Sequence, residues 1–306
     1  MRRACASWAL TAVALLFSTG CDSKADRDDS SSPTVYTSVR VTRDFSCALE
    51  AGGIAVCWGD LSDWAAPLPA EPVRDLSCGY FHCCALSVQR DDPVCWGIDI
   101  YGEVLDVSYS RQYRVLSAGQ FQTCALRADG HTRCWGYTVD SPEPDAPDDL
   151  VSLVSGGPAA CGIRLSGYAA CWGDSFYRVS EVPDVPLVQL DMIAHSVAAL
   201  DAQGVPYFWG GDWQRDSNVP QDQLFSKLSI GPDIGSDDEA GCGITLEGAL
   251  LCWGNGPDGR QSPPSFSQPV LDVDLGQHHG CALLADGSVS CWGADPDGLG
   301  LLEGPP

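Results

Sequence analysis

The sequence predicts an all-β protein, a seven-bladed β-propeller whose blades are four-stranded antiparallel sheets. The dipeptide Trp-Gly occurs seven times, and each copy follows a hairpin pattern that starts at position 47, 84, 124, 161, 198, 242 or 281. The resulting period of 37 to 44 residues is the length of one propeller blade. Short apolar runs such as YRVLSAGQ alternate with Pro- and Gly-rich connectors, without long helical periodicity. Seven such units bury their faces only against one another, so we expect a closed ring.

Each repeat centres on a hairpin bracketed by two cysteines, as in CALRADGHTRCWG, residues 124–136. Six of the seven repeats have a glycine six positions after the first cysteine position, where a three-residue loop needs a left-handed residue. Counting outward from this turn places Cys124 opposite Cys134, at a distance that a disulfide can bridge. The same reasoning predicts six disulfides within hairpins, namely Cys47–Cys57, Cys84–Cys95, Cys124–Cys134, Cys161–Cys171, Cys242–Cys252 and Cys281–Cys291.

The fifth repeat, AALDAQGVPYFWG, supports this pairing because Ala198 and Phe208 replace both cysteines at once. Independent thiols are not expected to disappear together. The second repeat has one extra residue and no turn glycine, which indicates a longer loop. Cys78 and Cys83 remain outside the hairpins, and we predict a seventh disulfide between them. The alternative is that Cys83 and the adjacent Cys84 exchange roles.

The tryptophan of each Trp-Gly pair is predicted to pack between neighbouring blades rather than to stack on a ligand. An Ala or Gly follows every first cysteine position, on the same sheet face as the tryptophan of the partner strand, and is expected to make room for the indole. The chain ends at the repeat phase that precedes a first strand. The segment from Tyr36 to Arg43 is predicted to supply that strand, so that the two ends of the chain close the ring together.

The N-terminus is typical of a bacterial export signal. Residues 1–20 begin with Met and two arginines, continue with an apolar run and end in small residues before Cys21, and the run is too short for a stable spanning helix. The sequence Ser18-Thr19-Gly20-Cys21 resembles a lipobox, with Ser18 where leucine is usual, and predicts lipidation of Cys21. A cleaved, secreted protein without lipid is the alternative. Residues 21–34 are predicted to form a flexible tether and residues 35–306 the propeller.

The formal net charge of −24 disfavours binding to nucleic acid or to anionic lipid, so we expect contact with a membrane through the lipid anchor only. Cys5 leaves with the export signal and Cys21 carries lipid, so fourteen of the sixteen cysteines remain. An even number in paired spacing is typical of an oxidising compartment. We therefore expect a monomer anchored to the bacterial envelope, in the outer membrane, the periplasm or at the cell surface.

The strings LSAGQFQTCALRADGHTRCWG and VDLGQHHGCALLADGSVSCWGADPDGLG resemble the repeats of the regulator of chromosome condensation (RCC1) family. The resemblance extends from Val35 to the C-terminus and implies a seven-bladed propeller. The family's Gly-Gln-Leu-Gly signature survives only in part, at 298–300 and loosely at 259–261, so the connectors that form the rims have diverged. The resemblance implies two alternative functions: a guanine-nucleotide exchange factor-like regulator of a small GTPase, and a secreted enzyme inhibitor, since one secreted relative inhibits β-lactamase.

The sequence lacks the common motifs of catalytic and metal sites, including a zinc knuckle, His-x-x-His, Gly-x-Ser-x-Gly and a phosphate loop. His82 and His279, each two residues before a first cysteine, are predicted to be structural, and His131 to be solvated. The acidic cluster at 237–239 and the pair Asp295 and Asp297 are interpreted as solvated turns, with calcium binding as the alternative. We expect no cofactor, no metal and no catalytic residue. A hydrolase or lyase that uses rim carboxylates is the enzymatic alternative.

Aromatic residues in the connectors are the candidate binding site, because aromatic side chains on rim loops are the usual anchors of an interface. The alternative is that they cap the edges of the blades. We predict a non-enzymatic scaffold that binds an unknown protein or glycan partner through such residues. The candidates are Trp64, Trp213, Tyr101, Tyr109, Phe176 and Tyr177, with Phe225 as a further member.

Overall fold

The computed structural model describes residues 34–107, 112–137, 146–157, 159–173, 179–211, 218–220, 222–231, 240–254 and 257–306. Within these ranges twenty-one strands form seven antiparallel sheets of three strands each. The described residues contain no helix long and apolar enough to cross a membrane. The predicted export signal, Cys21 and the tether up to residue 33 lie outside the described residues.

Each sheet is built from three consecutive strands, and we number the sheets as blades 1 to 7. The strands are β1 (Tyr36–Val41), β2 (Phe45–Glu50) and β3 (Ala55–Gly59) in blade 1; β4 (Val73–Cys78), β5 (His82–Ser87) and β6 (Pro93–Gly97) in blade 2; β7 (Tyr113–Ala118), β8 (Gln122–Arg127) and β9 (Thr132–Gly136) in blade 3; β10 (Val154–Ser155), β11 (Ala159–Ile163) and β12 (Ala169–Gly173) in blade 4; β13 (Leu187–Ile193), β14 (Ser196–Asp201) and β15 (Pro206–Gly210) in blade 5; β16 (Phe225–Gly231), β17 (Ala240–Thr245) and β18 (Leu250–Gly254) in blade 6; and β19 (Val270–Leu275), β20 (His279–Leu284) and β21 (Val289–Gly293) in blade 7.

The prediction of an all-β fold is confirmed, but the prediction of four strands in each blade was wrong. In the described residues no connector adds a fourth strand to a sheet. In the connector before blade 2, Ala66 forms an isolated bridge with Gly97 at the end of β6, and Pro67 follows directly. A proline has no N–H to donate, so it ends a ladder after one bridge.

The hairpin register places the paired cysteine positions opposite each other. Cys124 faces Cys134 in blade 3, and Ala198 faces Phe208 in the same register in blade 5. Gly130, at the end of the three-residue turn, has a φ of 90°, the left-handed conformation that this loop requires. The structure contains seven disulfides, Cys47–Cys57, Cys78–Cys83, Cys84–Cys95, Cys124–Cys134, Cys161–Cys171, Cys242–Cys252 and Cys281–Cys291.

The tryptophans of the repeat pack between neighbouring blades. Trp96 of blade 2 is fully buried in one cluster with Phe45, Cys47 and Leu49 of blade 1. A fully buried aromatic side chain removes a large apolar area from water, worth about 2–3 kcal/mol. Every seam that contains such an indole is therefore a part of the hydrophobic core.

The small residue after the first cysteine position was expected to make room for the indole, but in blade 6 it makes room for a phenylalanine. A Cβ at Gly243 would lie 2.3 Å from the ring of Phe225, in the first strand of the same blade. The residue that makes room for the indole is Gly241, directly opposite Trp253 on the partner strand, where a Cβ would lie 2.6 Å from the indole ring. The expected face was correct, but the indole lies over the residue before the cysteine.

Indole N–H groups of several repeat tryptophans bind the connectors. Among the described residues, Trp135, Trp209 and Trp292 donate to the backbone carbonyls of Glu103, Val179 and Arg260, each in the connector that precedes its blade. Trp58 of blade 1 donates to the carbonyl of Leu301, in the C-terminal segment, at 3.2 Å. Since β1 pairs with β2 inside blade 1, the C-terminal segment acts as the connector that closes the ring.

Candidate functional site

The first strands of all seven blades line one central cavity of about 280 Å³. At one end of this cavity lie the turns between first and second strands, at 42–44, 79–81, 119–121, 156–157, 194–195 and 276–278 in the described residues, and we call this end the inner-turn face. Hydrogen bonds join neighbouring turns, since the N–H of Arg43 donates to the carbonyl of Tyr80 at 3.1 Å, and the N–H of Tyr80 to that of Gly119 at 3.3 Å. A Cβ at Gly119 would lie 2.3 Å from the carbonyl oxygen of Gly156, so this approach requires glycine.

Five aromatic rings form a continuous row on the inner-turn face of blades 2 and 3. Tyr80 meets Phe81 edge-on at 4.6 Å between ring centroids, and Phe81 stacks on Phe121 at 5.7 Å. Tyr101 then contacts Phe121 at 5.5 Å and Tyr137 at 5.0 Å, both times edge-on. We call these five residues the aromatic row. Tyr101 is 49% exposed and the other four are half-buried, so the row presents apolar area to solvent.

Polar residues of blades 1 and 7 hold one end of the aromatic row. The guanidinium carbon of Arg43 lies 5.8 Å from the ring centroid of Phe81, in cation–π range. The hydroxyl of Tyr80 donates a hydrogen bond to the Oε1 of Gln277, which belongs to the inner turn of blade 7. These contacts place the row at the mouth of the central cavity.

A buried carboxylate shapes the loop that carries Tyr101. Oε2 of Glu103 accepts the N–H groups of Ile100 at 2.9 Å and Tyr101 at 2.7 Å, and Glu103 itself is only 1% exposed. Burial raises the pKa of the Glu103 carboxyl above its usual value, opposed by these hydrogen bonds. Oδ1 of Asp99 accepts the N–H of Val104 at 3.0 Å. The loop is therefore held by its own side chains in the conformation that exposes Tyr101.

The aromatic candidates separate into three groups in the structure. Tyr101 belongs to the aromatic row. Trp64 instead packs on Phe45, with ring centroids 5.0 Å apart, and covers the core between blades 1 and 2, which is the edge-capping alternative. The assignment of Phe225 to a rim was wrong, because Phe225 is the first residue of β16, is 1% exposed and fills the space beside Gly243. Tyr109, Phe176, Tyr177 and Trp213 lie outside the described residues and stay predictions.

Two buried histidines join neighbouring blades. The Nε2 of His82 hydrogen-bonds the hydroxyl of Thr123 in the next blade at 2.6 Å, and the Nε2 of His279 hydrogen-bonds that of Ser46 at 2.6 Å. Burial lowers the pKa of His82 to about 4 and that of His279 to about 3. Both rings are therefore neutral at pH 7 and serve the packing between blades. His131, in contrast, is exposed.

Carboxylates around the central cavity bind the unpaired edges of first strands. Asp191 accepts the N–H of Ile230 at 2.8 Å, and Asp274 accepts the N–H of Val41 at 2.6 Å. Burial raises the pKa of Asp274 to about 7. Because the first strand of each blade is an edge strand, its outward N–H groups need such acceptors. These acids hold one blade to the next.

The seam that closes the ring between blades 7 and 1 carries charge as well as hydrogen bonds. Asp272 forms ion pairs with Arg40, at 2.9 Å, and with Lys227, and it accepts the N–H of Val39 at 3.3 Å. A nearly buried carboxylate keeps its charge only with such partners. The aspartate thus joins three blades at one point.

The acidic turn considered for calcium is closed by its own backbone. The two carboxylate oxygens of Asp295 accept the N–H groups of Leu299 at 2.8 Å and Gly300 at 2.9 Å. The acidic cluster at 237–239 lies outside the described residues. In the described part of the chain, the one group of three metal-ligating side chains close enough to share an ion consists of sulfurs that are already in disulfides.

One repeat of the chain matches a known family model. Residues 270–298, which span blade 7, match the family model for the Regulator of chromosome condensation (RCC1) repeat, and the predicted resemblance is thereby confirmed for that repeat. Seven sheets around one cavity, each with the Trp-Gly hairpin, agree with a β-propeller fold.

Solved structures of similar fold include the following three. The ectodomain of the receptor kinase CR4 from Physcomitrella patens has 28% identity over 85% of this chain and 74% of its own, with a TM-score of 0.70. The CRINKLY WD40 ectodomain of the receptor kinase ACR4 from Arabidopsis thaliana has 21% identity over 89% of this chain and 99% of its own, with a TM-score of 0.69. Prp20p from Saccharomyces cerevisiae has 13% identity over 83% and 81%, with a TM-score of 0.60.

Sequence reasoning missed four members of the aromatic row, although a positional signal was present. Phe81 and Phe121 both stand three residues before the first cysteine of their repeats, so the propeller places them in equivalent turns of adjacent blades. Tyr137 directly follows the Trp-Gly of blade 3 and emerges at the same face, because its N–H donates to the carbonyl of Phe121 at 2.7 Å.

Proposed function

We propose that the protein is an exported, lipid-anchored scaffold without enzymatic activity, which binds a protein or glycan partner through the aromatic row. The observation that carries the proposal is the row itself, in which two turns and two connectors bring five rings together on one face. Aromatic side chains offer large contact area at low cost in conformational entropy and for this reason dominate binding hot spots.

The titratable groups with shifted pKa values support the role of a scaffold, because they form hydrogen bonds between blades. In the described residues, His82, His279 and Asp274 have strongly shifted pKa values, and each of them hydrogen-bonds a neighbouring blade. Perturbed groups in an active site normally face a substrate cleft. Here the two histidines are buried between blades, and Asp274, which lines the central cavity, accepts the N–H of Val41 in the neighbouring blade.

The disulfides support export, since seven such bonds are typical of proteins that fold in an oxidising compartment. The similarity to ectodomains of two receptor kinases agrees with this. Prp20p has been studied for binding to Gsp1p and histones, but its low identity to this chain supports a common fold and not a common partner. Lipidation of Cys21 and the anchor stay part of the proposal.

The proposal is tested by capture from envelope extract with the full chain, made non-acylated by the substitution Cys21→Ala. We expect the double variant Tyr101→Ala/Phe121→Ala to lose at least about tenfold in apparent affinity, since two aromatic hot-spot residues contribute 1.4 kcal/mol or more. The matched control is Tyr168→Ala, which removes a 41% exposed tyrosine from an outer hairpin loop. Equal capture by all three chains would contradict the proposal.

The class of partner follows from the same experiment. Treatment of the extract with protease abolishes capture of a protein partner, and treatment with periodate abolishes capture of a glycan. A Trp64→Ala variant is expected to bind normally but to unfold at lower urea concentration, because Trp64 packs on Phe45. A nucleotide-release assay on small GTPases tests the exchange-factor alternative directly, and stimulated release would replace the proposed function.

A further inference from the structure

Three sulfur atoms of two disulfides meet at the seam between blades 1 and 2. The sulfurs of Cys47, Cys78 and Cys83 all lie within 4.8 Å of one another. Cys47 is bonded to Cys57 within blade 1, and Cys78 to Cys83 within blade 2. The Sγ of Cys83 lies 3.8 Å from the Sγ of Cys47, which is close to van der Waals contact for two sulfurs.

The position of Cys83 is a recurrent one in this propeller. The residue before a first cysteine faces the first cysteine of the preceding blade: Oγ of Ser46 lies 3.8 Å from the Sγ of Cys281, and Oγ1 of Thr123 lies 3.5 Å from the Sγ of Cys84. Cys83 occupies this position in blade 2. It is therefore a sulfur placed where two other blades have a hydroxyl over a neighbouring disulfide.

The hydroxyls at this position have a second partner that blade 2 lacks. Ser46 and Thr123 each hydrogen-bond a buried histidine of the preceding blade. Before blade 2, the residue equivalent to these histidines is Phe45. Cys83 thus has no histidine to satisfy, and its Sγ lies beside the Cys47–Cys57 bond.

Access to this cluster is one-sided. Cys78 lines the central cavity beside Gly79 and Tyr80 and is partly exposed, whereas Cys47 and Cys83 are both 0% exposed. A small thiol that enters the cavity therefore meets the sulfur of Cys78 first. Attack on an accessible disulfide sulfur releases the other sulfur as a thiolate.

We propose that Cys78, Cys83 and Cys47 form a thiol–disulfide exchange site whose substrate is a small monothiol. The thiolate of the monothiol bonds to the Sγ of Cys78, the Cys78–Cys83 bond breaks, and its electron pair stays on Cys83. The Cys83 thiolate then bonds to the Sγ of Cys47, and Cys57 leaves as a thiolate that takes a proton from solvent. One thiol is consumed and one thiol is formed. Each step breaks one disulfide and forms another, so the number of disulfides, including the mixed one, stays the same.

The product differs from the starting protein in its connectivity. A Cys47–Cys83 bond joins blades 1 and 2, while the loop closed by Cys78 and Cys83, which are five positions apart, opens. That loop carries Tyr80 and Phe81 of the aromatic row. An effect of the exchange on partner binding rests on the proposed function, but the exchange chemistry does not depend on it.

The experiment uses the full chain with the substitution Cys78→Ala, which leaves Cys83 as a free thiol without any reductant. After rapid alkylation, digestion and mass mapping, we expect a peptide pair joined through Cys47 and Cys83 and alkylated Cys57. If the two alternative disulfides are of similar stability, the alkyl group resides on Cys57 in roughly half of the molecules. Wild-type protein treated with glutathione is expected to give the same joined peptides, with glutathione on Cys78.

Two further chains complete the test. The double variant Cys78→Ala/Cys83→Thr keeps the Cys47–Cys57 bond without a thiol beside it, and any alkylation of Cys57 there marks background. Thr123→Cys places a sulfur over the Cys84–Cys95 bond, and we expect alkylated Cys95, with Thr123→Ser as its control. This variant keeps the test valid if Cys78→Ala does not fold. Alkylation confined to Cys83, or to the introduced sulfur at position 123, with the neighbouring disulfides intact, would overturn the proposal.

Discussion

Blades 2 and 5 are built on the same hairpin and differ in how it is secured. Blade 2 contains the disulfides Cys78–Cys83 and Cys84–Cys95, whereas blade 5 has Ala198 opposite Phe208 in the register in which Cys84 faces Cys95. The pairing is the same with and without the covalent bond. Turn geometry and packing therefore specify the register, and the disulfide stabilises a hairpin that is already specified.

The two blades also differ in a buried histidine, since blade 2 has His82 where blade 5 has Ser196. Both blades contain a non-glycine residue of positive φ, Asp75 at 54° within β4 and Ala194 at 50° after β13. A neutral buried histidine makes folding sensitive to acid. A non-glycine residue in the left-handed region is strained. The additional covalent bonds of blade 2 thus coincide with a buried histidine that opposes folding in acid.

The largest effect is expected from removal of the hairpin disulfide of blade 2. Cys84→Ala/Cys95→Ala should lower the free energy of unfolding by about 3 kcal/mol, because the closed loop restricts the unfolded chain. Urea denaturation followed by tryptophan fluorescence measures this loss. The matched chain Cys84→Ala/Cys95→Phe, which installs the pair found in blade 5, should recover about 1 kcal/mol through burial of the ring. An unfolding free energy equal to that of the wild type would break the comparison.

The second effect concerns acid. The pKa of His82 is about 4 in the folded state and near 6.5 in the unfolded state, so the unfolded chain binds the extra proton between these values. Stability is therefore lost as the pH falls through 6.5 toward 4, by about 2 kcal/mol at pH 5 relative to pH 8. His82→Gln, which copies Gln122 of blade 3, should remove this part of the pH dependence. His279 remains in both chains, and a variant with an unchanged slope would show that His82 is not the sensor.

A smaller gain is expected from the converse change in blade 5. Because Ala198 faces Phe208, Ala198→Cys/Phe208→Cys should form a disulfide, detectable as a linked peptide in mass mapping. We expect a net gain of about 1 kcal/mol, since the effect of loop closure is reduced by loss of the ring contact between Phe208 and Trp253 at 6.0 Å. The control Ala198→Ser/Phe208→Ser should be less stable than the wild type. Two free thiols at these positions would contradict the register.

The smallest effect is expected at Asp75. Asp75→Gly should raise the free energy of unfolding by about 0.5 kcal/mol, because glycine adopts a φ of 54° without strain but has more freedom in the unfolded chain. The ion pair of Asp75 with Arg74 is exposed and contributes little. Asp75→Ala should instead lower the stability. Equal midpoints for the two variants would show that the backbone conformation at this residue costs nothing.

The repeat itself predicted most of the fold. The recurrence of Trp-Gly and the joint replacement at Ala198 and Phe208 were enough to predict seven units and their hairpin register. The number of strands in a blade was not predictable, since it depends on whether a connector pairs along β6 or leaves after Ala66 at a proline. Amino-acid composition does not show whether a connector pairs as a strand, because connectors and strands both contain apolar residues.

The candidate site was only partly predictable, for a similar reason. Tyr101 lies in a connector and is predicted as a rim residue, whereas Phe81 and Phe121 lie next to the hairpins and outside the connectors. Their contact exists only because the ring brings equivalent turns of adjacent blades together at 5.7 Å. Phe225 was misplaced because the space that buries it is created by Gly243, a residue eighteen positions later that the local pattern does not connect to it.

Among the described residues no sheet takes strands from both ends of the chain, and the C-terminal Leu301 accepts the indole N–H of Trp58 in blade 1 as other connectors accept that of their next blade. The location of the termini is consequently arbitrary with respect to the architecture. A circular permutant, with the original ends joined and new termini placed in any connector, would keep all seven sheets intact. Each sheet with its connector is also a unit that gene duplication can copy without separating paired strands.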